Sequence, residues 1–449
     1  MIRIDMPENA NRIIHTLQNA GYEAYIVGGC VRDAVLNKEP DDWDITTSAK
    51  PKEVKALFNR TIDTGIAHGT VTVMFGKEGY EVTTYRVDGK YEDHRRPNSV
   101  TFTSNLIEDM KRRDFTINAM AYNDDEGIVD HFHGVEDLDA HVIRCVGEPS
   151  DRFDEDALRI LRALRFSAQL DFEIDDRTKE AIRDRAKYLK DISAERIAVE
   201  LTKLLMSDHP ERLLTAYELG VTGIVLPEFD AMMETPQVNK HHSYNVGEHT
   251  IRVIQEVPKD KALRWAALLH DVAKPATHTN DGQWDHFYGH NEVGVDMARS
   301  VLKRLKFDNA TIDRVKRLVY WHDYGMGELP KLRSFRKALN KMGADLFEDY
   351  TYIKRADILA QSDYHREDKL NNLENLKEYY KEIMDKQQCL TIKELAISGK
   401  ELMELGMKPG PQIGEVLKNL LDKVLDEPEL NEREQLIKLV KEDMQCMKD

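Results

Sequence analysis

The sequence predicts a mixed α/β region up to residue 145 and an almost entirely helical remainder. In the first part, short segments alternate apolar and polar residues and are rich in β-branched and aromatic side chains, as half-buried strands are. These segments are Tyr25–Val27, Trp43–Thr47, Val71–Phe75 and Tyr80–Tyr85. After residue 150 the alternation disappears and apolar residues recur at helical spacing. This change of period predicts an α/β head followed by all-α domains.

Helices are predicted where apolar residues return every three or four positions. The pattern indicates helices over Ala10–Ala20, Ala157–Ala168 and Ala194–Met206. The segment Asp88–Val100 is polar and charged and contains a proline, so we expect a loop there. A basic stretch, Lys331–Lys341, lies on a further predicted helix.

The chain has 449 residues, whereas single hydrophobic cores stop growing at roughly 250–300 residues, so several domains are expected. Candidate boundaries lie near Gly147–Ser150, Pro227–Asn239 and Lys386–Ile392. We therefore predict four parts: a head, a helical neck, a helical body and a helical tail. Their limits are residues 1–148, 149–230, 231–385 and 386–449.

Composition excludes some classes of protein. No apolar run approaches the ~18 residues of a membrane span, and the N-terminus lacks a basic segment followed by an apolar one, so no secretory signal is predicted. The cysteines show no CxxC spacing, and a reducing cytoplasm is expected. A net charge of −17 argues against a globally basic surface for nucleic acid, but it allows a local basic stripe.

The segment from Gly28 to Asp44 predicts a site for a phosphate group and a metal ion. Gly28 and Gly29 follow a predicted strand and open a helix, so backbone N–H groups can approach a phosphate, and Arg32 adds a charged fork. Asp42 and Asp44 share one face of the next strand. Two such carboxylates repel each other unless they share a cation, and Mg²⁺ prefers oxygen ligands. A tight turn and a polar surface turn are the structural alternatives.

A second pattern places charges every three residues on a predicted helix, where such steps stay near one face. The stripe presents Asp156, Arg159, Arg162 and Arg165, while Leu158, Leu161 and Leu164 form the packed side. An Asp and an Arg together can bind the Watson–Crick edge of a base that carries an exocyclic amine, as cytosine and adenine do. A salt-bridged surface helix is the alternative interpretation.

Five motifs occur in order over residues 21–206: GGCVRD, DDWDIT, RRDFTINAM, DEDALRILRALRF and ISAERIAVEL. As a set they resemble the class II tRNA nucleotidyltransferases (CCA-adding enzymes) and the related bacterial poly(A) polymerases. The resemblance implies a head of the DNA polymerase β-like nucleotidyltransferase type, then an all-α neck, an HD-type body and a helical tail that binds tRNA. It also implies transfer of CMP and AMP units from CTP and ATP to a tRNA 3′ end, with release of pyrophosphate.

The resemblance assigns roles residue by residue. Catalysis and Mg²⁺ binding fall to Asp42 and Asp44. Contacts with the phosphates and ribose of the nucleotide fall to Gly29, Arg32 and Arg113. Recognition of the base falls to Asp156 and Arg159, supported by Arg162 and Arg165, while Arg196 positions the neck. Glu81 is a third carboxylate whose role stays open.

Two narrower activities remain compatible with these motifs. In the family, enzymes that add only CC lack a flexible loop that this chain has as Asp88–Val100, including Arg95 and Arg96. The segment Thr64–Thr70 resembles the form found in tRNA-specific enzymes. An A-adding enzyme or a poly(A) polymerase would keep the loop, so these remain the alternatives, and the oligomeric state is not indicated.

A second ordered set of histidines and aspartates resembles the HD phosphohydrolase superfamily. Its order is His249, His270-Asp271, His286 or His290, His322 and Asp357. The ligands expected for a second divalent transition metal are His249, His270, Asp271 and Asp357. Such a domain can hydrolyse phosphoesters or serve only as a helical scaffold, and the sequence leaves this open. An HD phosphohydrolase whose head merely senses nucleotides is the rival hypothesis from another class.

Overall fold

The computed structural model describes residues 3–89, 99–325 and 327–446. Contacts within the chain divide it into two compact units, Met1–Asp230 and Ala231–Asp449, and one helix, Pro227–Met233, contains this boundary. The finer division into head, neck, body and tail remains a prediction. None of the described helices is both long enough and apolar enough to cross a membrane.

The first unit contains a mixed sheet whose seven strands, among the described residues, have the order β3-β4-β5-β2-β1-β8-β9. These strands are β1 (Ala24–Val27), β2 (Ile45–Thr47), β3 (Thr61–Gly65), β4 (Thr70–Phe75), β5 (Glu78–Thr84), β8 (Ala121–Asn123) and β9 (Gly127–Val129). A separate ribbon pairs β6 (Arg86–Asp88) with β7 (Val100–Phe102), and β10 (Val142–Ile143) pairs with β11 (Glu173–Ile174). The predicted strands are therefore present, with ends shifted by one or two residues.

The structure differs from the predicted loop Asp88–Val100 at both ends of the segment. Asp88 and Val100 are paired residues of the β6–β7 ribbon rather than loop residues, because Arg86–Asp88 and Val100–Phe102 form an antiparallel ladder. The interior of this segment, with Arg95, Arg96 and Pro97, lies outside the described residues.

Twelve helices begin within the described part of the first unit. They are α1 (Glu8–Asn19), α2 (Gly29–Val35), α3 (Pro51–Leu57), α4 (Leu106–Lys111), α5 (Gly134–Asp139), α6 (Pro149–Glu155), α7 (Leu158–Leu170), α8 (Asp176–Arg185), α9 (Ala194–Leu205), α10 (Leu213–Glu218), α11 (Thr222–Val225) and α12 (Pro227–Met233). Helix α1 buries Ala10, Ile13, Ile14 and Leu17, as its apolar period predicts.

The prediction of one continuous charged helix through Asp156 is wrong. Helix α6 ends at Glu155, and Asp156 has an extended backbone, with φ −142° and ψ 102°. Helix α7 begins at Leu158, so only Arg159, Arg162 and Arg165 share its surface. The packed side of α7 is as predicted, because Leu158, Leu161 and Leu164 are all buried.

The second unit is helical, except for a short hairpin of β12 (Thr279–Asn280) and β13 (Asp285–His286). Its helices are α13 (Val246–Glu256), α14 (Lys261–Leu269), α15 (Lys274–Thr277), α16 (His290–Arg304), α17 (Asn309–Trp321), α18 (Leu332–Met342), α19 (Phe347–Ala360), α20 (Arg366–Asp385), α21 (Gly399–Glu404), α22 (Pro411–Asp426) and α23 (Arg433–Cys446). The basic stretch Lys331–Lys341 is helical as predicted. Helix α14 contacts α13, α17 and α19, and α19 also contacts α13 and α17.

Truncation of a leucine on the packed side of α7 tests the contribution of this helix to the first unit. Leu164 is fully buried, so Leu164→Ala should lower the free energy of unfolding by about 2–5 kcal/mol through lost burial and an unfilled cavity. Urea denaturation followed by circular dichroism measures the change. Val199 is half exposed, so Val199→Ala should change stability far less, and an equal loss in both variants would contradict the assignment.

Candidate active sites

Carboxylates meet at the start of β2. Asp42 and Asp44 lie in the segment that leads into this strand, and the carbonyl of Asp44 accepts a hydrogen bond from Val27 N at 2.9 Å, which extends the β1–β2 ladder. Strand β2 runs parallel to β5 with Ile45 beside Val82. One step back along both strands, Asp44 lies beside Glu81, so the parallel register brings a third carboxylate to the pair.

Electrostatics at Asp44 reflect this convergence. Desolvation raises the pKa of Asp44 above its usual value, and repulsion from Glu81 and Asp42 raises it further, while Arg113 opposes the shift. Asp42 and Glu81 thus both repel Asp44, and carboxylate oxygens are ligands of the kind that Mg²⁺ prefers. The residues present therefore fit a magnesium ion.

The turn between β1 and α2 requires glycine. Gly28 has φ +85° and ψ −129°, a conformation that other residues adopt only with strain. A Cβ atom at Gly28 would lie 2.9 Å from Nη1 of Arg113, so a side chain would displace this guanidinium. Gly29 opens α2. The turn therefore brings bare backbone and the Arg113 cation together beside the carboxylates.

A chain of polar contacts fixes the cations around this turn. Arg32 pairs with Asp33 at 2.8 Å, and its Nη1 donates to Oδ1 of Asn118 at 2.7 Å. The Asn118 amide donates to Asp114 at 3.2 Å, and Arg162 Nε donates to the other oxygen of Asp114 at 2.7 Å. These contacts connect α2, the segment after α4, and α7.

The ionised state of Asp114 depends on its neighbours. Burial alone would raise its pKa, but the guanidinium groups of Arg162 and Arg159 and a hydrogen bond from Asn118 outweigh burial and lower the pKa to about 2. Asp114 therefore stays negatively charged at neutral and mildly acidic pH, where it holds Arg162 in place.

Most of the residues that the sequence predicts for nucleotide and metal binding line one cavity of about 520 Å³. These are Gly29, Arg32, Asp42, Asp44, Arg113, Arg162 and Arg165. Sequence reasoning missed Phe166, Gln169 and Lys203, which also line it. Lys203 lies seven residues after Arg196 on α9, and this two-turn spacing within the ISAERIAVEL helix was the available signal.

The predicted base-recognition pair lies in a neighbouring cavity of about 290 Å³. Asp156 and Arg159 line it, and Arg113, Asp114 and Arg162 line both cavities. Asp156 accepts a hydrogen bond from Nη2 of Arg196 at 2.7 Å. Arg159 Nη2 donates to the carbonyl of Arg112 at 3.0 Å, and its Nη1 pairs with Glu155. Both side chains are therefore held by protein partners.

Arg165 is buried beneath the first cavity. Its Nη1 lies 3.0 Å from Oε2 of Glu200, and its guanidinium carbon lies 4.2 Å from the centre of the Phe166 ring. Burial lowers its pKa to about 10, although Glu200 favours the charged form. The geometry makes Arg165 a support for the cavity wall.

The second candidate site lies in the helical unit and joins residues from several helices. His249 is on α13, His270 and Asp271 follow α14, and Asp357 is on α19. His249 Nε2 lies 3.0 Å from Oδ1 of Asp357 and 3.4 Å from His270 Nε2, and His270 Nε2 lies 3.1 Å from Oδ2 of Asp271. The structure thus brings together all four predicted ligands, and each is buried.

Two further histidines face the other oxygen of Asp271. His290 opens α16 and His322 follows α17. Their Nε2 atoms lie 3.4 and 3.6 Å from Oδ1 of Asp271 and 3.2 Å from each other. Asp323 adds a carboxylate oxygen 3.1 Å from His290 Nε2. The sequence order included both histidines, but the predicted ligand set omitted them.

The hydrogen bonds of the imidazoles determine which nitrogen faces the cluster. The Nδ1 atoms of His270, His290 and His322 lie 2.7–2.8 Å from backbone carbonyl oxygens, which can only accept, so each Nδ1 carries a proton. In the neutral ring, Nε2 then presents a lone pair. Lone pairs in contact repel, and neither oxygen of Asp271 accepts a well-aligned hydrogen bond. Imidazole and carboxylate donors arranged in this way fit divalent transition metals.

A cavity of about 250 Å³ opens onto this cluster. Besides Asp271, His290, His322 and Asp357, its walls include Lys274 and an aromatic segment, His286, Phe287 and Tyr288. Lys274 Nζ lies 2.7 Å from Oδ2 of Asp271 and donates to Gln237. The cavity therefore combines a cluster of metal-binding groups, a cation and exposed rings.

Comparison with known protein families agrees with this arrangement. The model of the Poly A polymerase head domain matches residues 24–144, and that of the RNA and SrmB-binding site of polymerase A matches 171–233. The model of tRNA nucleotidyltransferase domain 2 matches residues 276–440. Together these matches cover both units.

Several relatives match almost the whole chain. The CCA-adding enzyme of Lactobacillus helveticus is 35% identical, with 95% of each chain covered. That of Limosilactobacillus reuteri is 36% identical, with 97% of this chain and 96% of the relative covered. The crystal structure of the Bacillus stearothermophilus CCA-adding enzyme in complex with CTP is 30% identical, covers 99% of this chain and 100% of its own, and has a TM-score of 0.73. The chain therefore belongs to the family of CCA-adding enzymes.

Proposed function

We propose that the protein adds CCA to the 3′ end of tRNA from CTP and ATP, without a nucleic-acid template. The observation that carries this proposal is one cavity that joins the Gly28–Gly29 turn, several arginines and the carboxylates at Asp42 and Asp44. Relatives covering almost all of the chain are named CCA-adding enzymes. Because the proposed substrates are found in the cytoplasm and the described cysteines are unpaired, we propose a cytoplasmic location.

In the proposed reaction, the 3′ hydroxyl oxygen of the RNA attacks the α-phosphorus of CTP or ATP. A new P–O bond forms, the bond to the β-phosphate oxygen breaks, pyrophosphate leaves, and the hydroxyl proton passes to solvent. Mg²⁺ held by Asp42, Asp44 and Glu81 would activate the hydroxyl and neutralise charge on the leaving group. The chain's own part is to align the two substrates within this cavity.

The phosphates of the nucleotide would lie against the glycine turn. Gly28 and Gly29 allow backbone N–H groups to approach, and the cations Arg32, Arg113 and Lys203 line the same cavity. Arg32 and Arg162 are already held by Asp33 and Asp114, so their positions do not depend on a ligand. The triphosphate would meet a prepared set of donors.

Base selection is assigned to Asp156 and Arg159. The Asp156 carboxylate can accept from the exocyclic amine of cytosine or adenine, and Arg159 can donate to ring nitrogen or oxygen atoms. Guanine and uracil do not present that amine at the same position. Arg196 fixes Asp156, so the protein itself acts as the template.

The proposed domains are a head, a neck, an HD body and a tail, with limits at residues 148, 230 and 385. Binding of tRNA by the tail is part of the proposal.

The first prediction on function concerns substrate range. Incubated with tRNA that ends at the discriminator base, the protein should incorporate CMP twice and then AMP once, and tRNA ending in CC should receive AMP alone. Sequencing gels with labelled nucleotides measure this. Incorporation of AMP alone onto the CC-ended tRNA, with nothing added to the shorter one, would establish the A-adding alternative. A long A tail would establish a poly(A) polymerase.

In the same assay, Asp42→Asn combined with Asp44→Asn should abolish addition to every acceptor, because the metal ligands are lost. Asp125 is exposed in the turn between β8 and β9, so Asp125→Asn should retain full activity as the matched control. If the double variant kept its activity, the head would not be the catalytic part.

Base selection can be tested at Arg159. Loss of charged hydrogen bonds to the base, each contributing about 1.5–3 kcal/mol, should lower kcat/KM for CTP and ATP about 10- to 100-fold in Arg159→Ala. Incorporation of UMP and GMP should rise relative to CMP and AMP, and Arg159→Lys should not restore selection because it lacks the planar fork. Exposed Arg177, paired with Glu148, offers the control Arg177→Ala. Uniform loss for all four nucleotides would argue against base recognition.

We propose a second function at the histidine cluster: hydrolysis of a phosphoester, such as a 2′,3′-cyclic phosphate at an RNA end. The observation that favours it is the convergence of His249 and His270 on one oxygen of Asp271, and of His290 and His322 on the other, with Asp357 beside His249. Two divalent ions in these places would supply an activated water. The water oxygen bonds to phosphorus, one ribose P–O bond breaks, and the released ribose oxygen takes a proton.

This second proposal predicts two ions per chain. In a chain carrying Asp42→Asn and Asp44→Asn, which removes the other proposed metal ligands, mass spectrometry of the metal content after dialysis against Mn²⁺ or Ni²⁺ should find two ions, and about one when His290→Ala and His322→Ala are added. His270→Ala should lose hydrolysis of a cyclic phosphate while CCA addition persists. The control His365→Ala changes an exposed histidine outside the cluster. A wild type that binds no metal would leave this domain as a scaffold.

A further inference from the structure

The mouth of the histidine cavity carries an aromatic segment, His286, Phe287 and Tyr288, which we term the aromatic rim. It consists of the last residue of β13 and the two residues that follow, before α16 begins at His290. Tyr288 is 79% exposed, which makes it the most exposed large apolar side chain among the described residues. Its ring stacks on the ring of His286, with centres 5.3 Å apart and planes 11° apart. One face of Tyr288 is thus covered by His286, and the other is open to solvent.

The rim is held in place by its neighbours. His286 Nε2 lies 2.8 Å from Oδ2 of Asp281, and Tyr288 Oη lies 3.4 Å from His286 Nδ1. On the other strand face, Asp285 accepts from Val238 N at 2.6 Å and lies 2.7 Å from His278 Nε2. The position of the exposed ring is therefore fixed without any contact that buries it.

The rim is also tied to the metal-binding groups. His290 comes two residues after Tyr288, and its Nδ1 donates to the carbonyl of Phe287 at 2.8 Å. The same bond leaves His290 Nε2 facing Asp271. A single hydrogen bond therefore sets both the turn that presents the rim and the imidazole that faces the cluster. Rim, cluster and Lys274 line one cavity.

The two ends of this cavity suit the two halves of a nucleotide. Lys274 offers positive charge for a phosphate, and metal ions held by the cluster would add to it. Tyr288 offers a flat, fixed and open π-face, the kind of surface on which nucleobases stack. A small phosphate compound would use only the first end.

We infer that Tyr288 binds the base of the phosphoester substrate, which stacks on the free face of this ring while the phosphate lies at Lys274 and the cluster. This rests on the proposed hydrolase function and adds to it the residue that recognises the nucleoside. Stacking is tolerant of base identity, so the site accepts any of the four bases.

The test compares two cyclic phosphates that share the five-membered ring and differ in the nucleoside: adenosine 2′,3′-cyclic monophosphate and glycerol 1,2-cyclic phosphate. With full-length protein loaded with Mn²⁺, Tyr288→Ala should raise KM for the adenosine ester about tenfold. KM for the glycerol ester and kcat for both should stay unchanged. Tyr288→Phe should behave as wild type, as should Tyr352→Ala, which removes a half-exposed ring outside the cavity. Equal effects on both esters, or no effect on either, would overturn the inference.

Equilibrium dialysis with adenosine 3′-monophosphate separates this inference from the hydrolase proposal. Binding at the head is common to wild type and variant, so the difference between them reports on the rim. If the wild type hydrolyses neither ester, the hydrolase proposal fails. In that case, weaker binding by Tyr288→Ala, with normal binding by Tyr288→Phe, still supports the nucleotide site, and equal binding by all variants overturns it.

Discussion

The ion pair between buried Asp114 and Arg162 is the constraint on which the head depends. Asp114 also accepts from Asn118, which in turn receives a hydrogen bond from Arg32, so one carboxylate sets cations at the glycine turn and on α7. Both cavities of the first unit share Asp114 and Arg162 in their walls. Because an uncompensated buried charge costs several kcal/mol, the pair keeps the two cavities in one fixed relation.

The same arrangement explains how an acidic protein can hold a triphosphate. Arg32, Arg162 and Arg165 have carboxylate partners, namely Asp33, Asp114 and Glu200. These cations line one cavity, and carboxylates of the protein balance their charge. A chain with a net charge of −17 can therefore present arginines to a ligand without a basic outer surface. A bound nucleotide would meet charged side chains that are already in position, so little reorganisation of the site would be needed.

Sequence patterns predicted the features of the fold that depend on residues close to one another in the chain. The strands, the glycine turn before α2 and the packed side of α7 follow from local period and from the conformational freedom of Gly28. The break at Asp156 does not, because it accompanies a hydrogen bond to Arg196, forty positions further along the chain. Lys203 and Glu200 were missed for the same reason: helix α9 presents them to α7 by tertiary packing.

The histidine cluster shows a second limit of prediction from the sequence. The order of histidines in the sequence included His290 and His322. The neighbouring residues do not reveal, however, that Nδ1 of each ring bonds to the carbonyl three residues earlier. That bond turns Nε2 toward Asp271, beside the ammonium of Lys274, which lies 2.7 Å from the same carboxylate. In the first unit, Arg32, Arg162 and Arg165 each have a carboxylate partner of their own. These arginines are therefore positioned by the protein alone, whereas the imidazoles and carboxylates of the cluster are the kind of ligands that a divalent transition metal would hold together.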